Sequence, residues 1–130
     1  MSHGTYNGRP LIVRVNAGLR ELAGHPDLRH QVGIAVPLKR ATDTGLPAPE
    51  EDRELAALED ELAATLSKGR QAVLAGILTT GGMREFVFYT GEPEAIRRTM
   101  AEIQGRIEHH DIQLMIQEDP SWQVFKSLLK

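Results

Sequence analysis

The sequence predicts a single α+β domain, residues 1–130, built on an antiparallel sheet, and three observations carry that expectation. Short apolar stretches with strand-like composition recur five times. Two longer stretches place leucine or isoleucine at three- and four-residue intervals, as an amphipathic helix requires. The two kinds of segment alternate in an order that one sheet with crossing helices accommodates. With 130 residues the chain can bury roughly two-thirds of the surface its unfolded form exposes, enough for one core.

The first strand is expected over residues 11–15, after Gly8-Arg9-Pro10, with Leu11, Val13 and Val15 on one face and Ile12, Arg14 and Asn16 on the other. Ala23-Gly24-His25-Pro26-Asp27 reads as a loop, because Pro26 restrains the residue before it and brings no donor. Residues 31–38 form the second strand. Val32, Ile34, Val36 and Leu38 share one face, and Gly33, Ala35 and Pro37 the other, where small side chains call for close packing. Pro37 cannot donate to a ladder, so the strand is expected to end or to become an edge there.

Residues 41–49 carry Asp43, Gly45, Pro47 and Pro49 and read as a linker. Glu50, Glu51 and Asp52 then suit the positive end of a helix running to about residue 68, with Leu55, Leu58, Leu62 and Leu66 on one face and Gly69 as its stop. The third strand, 71–79, is apolar on both faces. Val73, Ala75 and Ile77 oppose Ala72, Leu74 and Leu78, so it needs cover twice. Thr80-Gly81-Gly82-Met83 supplies a hairpin turn into the fourth strand, 85–90, where Phe86 and Phe88 oppose Val87 and Tyr89. Pro93 opens a second helix with Ile96, Met100, Ile103 and Ile107 inward. A fifth strand covers 112–116. Asp119-Pro120 then starts a short last helix with Trp122, Phe125, Leu128 and Leu129 on its apolar stripe.

From the second strand onward the order is βαββαβ, the ferredoxin-like pattern, with an extra N-terminal strand, a short C-terminal helix, and the core helices on one face of an antiparallel sheet. The apolar second faces of the second and third strands need another cover. The N-terminal strand with its loop, or a second copy of the chain, would supply it.

Several segments carry a resemblance that extends over nearly the whole chain. They are Tyr6-Asn7-Gly8-Arg9-Pro10-Leu11-Ile12-Val13-Arg14, Gln31-Val32-Gly33-Ile34-Ala35-Val36-Pro37-Leu38, Gly45-Leu46-Pro47 and Leu58-Glu59-Asp60. The most telling are Thr80-Gly81-Gly82-Met83-Arg84-Glu85-Phe86-Val87-Phe88-Tyr89 and Asp119-Pro120-Ser121-Trp122. Together they resemble the bacterial domain of unknown function 695 family. The resemblance implies a fold and a bacterial setting, and it implies no activity. Related domains are sometimes fused to a segment similar to the protein regulator of ribonuclease E, which by analogy of architecture implies a regulatory binding role.

The composition removes several functions. With no cysteine there is no disulfide framework, thiolate metal site or cysteine nucleophile, and a reducing compartment fits. No apolar run approaches the ~18–20 residues of a membrane span, and the polar N-terminus lacks a signal pattern, so a cytoplasmic protein is expected. The net charge is −3, with basic residues scattered, and aromatics are 5% of the chain. Neither a nucleic acid nor an anionic membrane finds its electrostatic footprint there.

His109-His110-Asp111 is the only local cluster of metal-ligand types, but neighbouring residues on an extended segment point apart. A site would need His25, His30 or a distant carboxylate, so the expectation is a polar turn, no metal and no cofactor. Arg84-Glu85 beside the Gly-Gly turn could hold an anionic ligand through the planar guanidinium, although a charged pair at a strand start more often guards an edge. The fourth strand superficially matches the RNA-binding strand of RNA-recognition domains, yet Arg84 stands where an aromatic is needed and the second strand has none. Gly81-Gly82 leads into a strand rather than a helix, which argues against a phosphate cradle. None of the serines lies in a nucleophile elbow. Trp122 reads first as an anchor for the last helix, with a cleft shared with Tyr89 as the functional variant. Glu50-Glu51-Asp52 and Glu59-Asp60-Glu61 are expected on a solvated helix face. Glu59 turned to the sheet rim would instead accept hydrogen bonds from a basic residue such as Arg14, and the sequence leaves that choice open.

The expectation for function is a non-enzymatic protein-binding or regulatory module that self-associates as a homodimer through an apolar sheet face, with room for an unidentified protein partner. The alternative is a small enzyme or ligand sensor. Its pocket would gather Arg14, Asn16, Arg84, Glu85, Tyr89 and His110, with Arg84 fixing an anion and His110 or Glu85 moving a proton.

Overall fold

A computed structural model describes residues 2–6, 9–68, 71–107 and 110–129; the expected helix stop at Gly69 and the histidine at position 109 lie outside them. The strands are β1 (Ser2–Tyr6), β2 (Arg9–Val15), β3 (His30–Pro37), β4 (Ala72–Thr80), β5 (Met83–Thr90) and β6 (Gln113–Glu118). The helices are α1 (Pro49–Ser67), α2 (Pro93–Gln104) and α3 (Gln123–Leu128), with a 3₁₀ turn over Ala17–Leu22. All six strands join one sheet in the order β1-β2-β4-β5-β3-β6, and every neighbouring pair is antiparallel. The run β3-α1-β4-β5-α2-β6 realises the expected βαββαβ order.

The first strand of the chain was not foreseen. β1 adds to the edge of β2 in a ladder running from Ser2 opposite Val13 to Tyr6 opposite Arg9. Main-chain pairing of this kind leaves no periodicity in a short polar segment.

On one face of the sheet lies an aliphatic core. Leu55, Leu58, Leu62 and Leu66 of α1 and Ile96, Met100 and Ile103 of α2 pack on Val32, Ile34, Val36, Phe86 and Phe88. Pro49 and Pro93 each open their helix, where a missing N–H costs nothing and φ is already helical. Ile107 still packs on this core, although α2 has ended before it.

The second face is closed by the chain itself. Ala75, Val87 and Tyr89 meet Trp122 and Phe125, with Leu19 and Leu22 of the 3₁₀ turn and Leu128 of α3 around them. The loop after β2 therefore supplies cover here, as one of the two expected alternatives had it, and α3 joins it. One expected alternation is corrected. The register of β4 slips between Leu74 and Gly76, so a bulge at Ala75 interrupts the period of two. Val73 and Ala75 consequently belong to the second face, while Ile77 joins the helix face. Gly76 permits the close approach of α3, since a Cβ there would lie 2.9 Å from Leu128 Cδ1 and 3.1 Å from the Arg14 carbonyl oxygen.

The hairpin between β4 and β5 turns on Gly81 and Gly82, with φ of 59° and 81°, as the sequence predicts. At the C-terminus Asp119 caps α3. Its carboxylate accepts the N–H groups of Gln123 (2.8 Å) and Val124 (3.0 Å) and the Tyr89 hydroxyl proton (2.6 Å). Trp122 holds a left-handed φ of 59°, unfavourable for a bulky residue. Its indole offsets that cost by stacking on Tyr89 at 3.9 Å, meeting Phe125 edge-on at 5.3 Å, and donating to the Leu28 carbonyl at 2.8 Å. Among the described residues no helix is long and apolar enough to cross a membrane.

Candidate functional site

A group of chemically competent side chains gathers at the first turns of α1. Glu51 stands four residues before Leu55, in line with the leucine stripe, so the helix drives its carboxylate into the interior, where it is 1% exposed. The segment after β3 meets it there. Glu51 accepts the main-chain N–H of Lys39 at 2.7 Å and that of Arg40 at 2.9 Å. His110, from the segment between α2 and β6, is 3% exposed and brings Nε2 within 3.0 Å of Glu51 Oε2. Burial pushes the Glu51 carboxyl up. The two main-chain donors and His110 outweigh that and hold it below the usual carboxylate range.

Glu54, one turn further along α1, directs Oε2 at the same point, 3.9 Å from His110 Nε2. That oxygen is buried and makes no directed hydrogen bond. Lys39 Nζ lies 3.2 Å from it as an ion-pair partner out of hydrogen-bonding alignment. Ligand atoms of Glu51, Glu54 and His110 all lie within 4.8 Å of one another, so these three side chains are the ones that could hold a metal ion among the described residues.

Along the rim of the same face, the two arginines are spent on α1. Arg84 donates through Nε to Thr79 Oγ1 and through Nη2 to Asp52 Oδ1, both at 2.9 Å. Arg14 pairs with Glu59, a contact the sequence left open. A cleft of about 220 Å³ separates the two pairs, and Asn16 lies in an adjoining one of about 250 Å³ beside Arg14.

The six polar residues of the enzyme or sensor alternative are not gathered into one pocket. Arg84 and Glu85 are neighbours on a strand and point to opposite faces. Glu85 lies over Gly33, within 2.7 Å of where a Cβ would stand, and burial pushes its carboxyl up. Tyr89 is locked between Asp119 and the N–H of Phe125, and burial followed by the Asp119 hydrogen bond pushes its hydroxyl well up. Trp122 is the buried anchor of α3. Phe86 and Phe88 lie buried under the helices, so the stacking platform of an RNA-binding strand is missing.

His25 and His30 do not join His110. They lie at the opposite end of β3, in a cleft of about 850 Å³, with Asp27, Arg29, Ser67 and Glu92. Sequence reasoning singled out His110 but missed its partners. The readable signal was a glutamate occupying an apolar stripe position at 51, with a second carboxylate three residues on.

No curated protein and no solved structure matches the chain. One family model matches residues 1–130, and the chain belongs to that family of unknown function, DUF695.

Proposed function

We propose that the chain is a non-enzymatic, regulatory binding module that works as a homodimer, with β6 as the pairing edge. The observation that carries this reading is the composition of that edge. β6 borders the sheet with only β3 beside it, and residues Gln113 to Gln117 contain no charge, no proline and no bulge, the usual guards of an exposed edge. Met115 stands 52% exposed at its centre.

The occupant is a second copy because the strand is self-complementary. Antiparallel pairing about Met115 sets Gln113 opposite Gln117, Leu114 opposite Ile116, and Met115 opposite its own counterpart. The pairing of Arg14, Arg84 and Tyr89 with structural partners supports a binding role over catalysis. We place the module in the bacterial cytoplasm, acting on a protein partner rather than a nucleic acid or membrane. The chain's lack of cysteine and scattered basic residues favour that setting.

Light scattering tests the reading. Twice the chain mass is expected at working concentration, and monomer mass is expected for Met115→Lys, which opposes two like charges across the two-fold axis. A wild-type chain that is monomeric throughout, or a Met115→Lys variant that stays dimeric, contradicts it.

A further inference from the structure

We infer that Glu51, Glu54 and His110 form a binding site for one divalent transition-metal ion of the zinc or manganese kind, guarded by Lys39. An imidazole nitrogen with two carboxylate oxygens is a donor set for such borderline ions, too rich in nitrogen for calcium or magnesium. Donors about 2.0–2.2 Å from a tetrahedral ion stand roughly 3.3–3.6 Å apart. The separations from His110 Nε2 to Glu51 Oε2 and Glu54 Oε2, 3.0 and 3.9 Å, bracket that spacing. The ligand atoms of all three residues lie within 4.8 Å of one another, so side-chain adjustment closes the set around an ion.

Three features make this more than a cluster of acids. The Glu54 oxygen is buried and makes no directed hydrogen bond, with the Lys39 ammonium facing it at 3.2 Å, so its lone pairs stay available to an ion. The N–H groups of Lys39 and Arg40 fix the Glu51 carboxylate from behind, in the way that supporting hydrogen bonds orient metal ligands. The cluster also opens to solvent through a cleft of about 340 Å³, lined by Glu54, Leu58, Glu61, Arg106, Ile107 and His110, which gives an ion and its water ligands an entry. Two carboxylates balance a dication, and the Lys39 ammonium stands 3.2 Å from Glu54 Oε2 in the place a cation would take. Lys39 is the competitor. Its side chain is 36% exposed and long enough to swing away when the ion enters.

The experiment titrates chelator-treated full-length chain with Zn²⁺ or Mn²⁺ by calorimetry, and with Co²⁺ by visible absorption, which reports coordination geometry directly. One ion per chain is expected, with a nitrogen-and-oxygen cobalt spectrum and a melting temperature that rises with metal concentration. Glu54→Gln and His110→Gln should each weaken binding at least tenfold, and Lys39→Gln should tighten it severalfold. Glu54 lies partly exposed, so Glu54→Gln remains informative if His110→Gln fails to fold. Absence of saturable binding, or wild-type affinity in Glu54→Gln, overturns the proposal. A Lys39→Gln variant that binds more weakly overturns the competitor role. Oligomeric mass read in the same samples keeps this result separate from the β6 pairing.

Discussion

On one face of the sheet two helices lay seven aliphatic side chains across Val32, Ile34, Val36, Phe86 and Phe88. On the other, a six-residue helix is held by one aromatic group, in which Trp122 touches Tyr89, Phe125 and the Leu28 carbonyl at once. The first face spreads its stabilisation over many interchangeable contacts. The second concentrates it in a single residue with an unfavourable backbone angle. The buried carboxylates differ in the same way. Glu51 on the helix face is surrounded by donors, whereas Glu85 on the second face has burial without compensation.

That contrast is broken or sharpened first by truncation. Trp122→Ala should cost about 3–5 kcal/mol, as large-to-small core changes do, and should release α3 along with the second-face cluster. Ile103→Val on the helix face should cost only about 0.5–1.5 kcal/mol. Urea unfolding followed by circular dichroism measures both, and equal losses would remove the distinction.

Asp119→Ala comes next, at about 1–3 kcal/mol, because it strips two capped N–H groups and the Tyr89 hydroxyl of their acceptor. A loss within about 0.5 kcal/mol in the same assay would show that the aromatic stack alone secures α3.

The two glutamates give the smallest and most diagnostic effects, since their pH dependences have opposite sign. The Glu51 carboxyl sits below its ordinary value of 4.5 in the fold. Its contribution is therefore complete above 4.5 and fades as pH falls through the lowered value. Glu51→Gln should cost about 1–3 kcal/mol at neutral pH, with the gap closing in acid. The Glu85 carboxyl sits above 4.5, so the fold gains stability as pH falls through that raised value. Glu85→Gln should stabilise the neutral protein by up to about 0.5 kcal/mol, and that gap also closes below 4.5. Melting curves from neutral to acid pH for both variants check the signs.

The helix face was legible because its signal is periodic. Leucines at 55, 58, 62 and 66 and isoleucines at 96 and 103 announce buried stripes, and Pro93, Gly81 and Gly82 mark where elements start and turn, whereas Pro49, read as linker, proves to open α1. The second face was half legible. Trp122 and Phe125 were read as the stripe of a last helix, but a bulge of one residue at Ala75 leaves no compositional mark. β1 was illegible because a polar strand pairs through its main chain. The polar cluster at α1 depended on contacts between segments up to 59 residues apart, which no local pattern encodes. Only the misplaced charge of Glu51 hinted at it.

The edge at β6 is where the proposed function meets the fold, and amide hydrogen exchange reads it directly. With pairing between copies, the β6 amides that face away from β3 are slow at high protein concentration, quicken on dilution, and are fast in Met115→Lys. Fast exchange of those amides at every concentration would contradict the account, because a strand left unpaired on its outer side has nothing else to protect them.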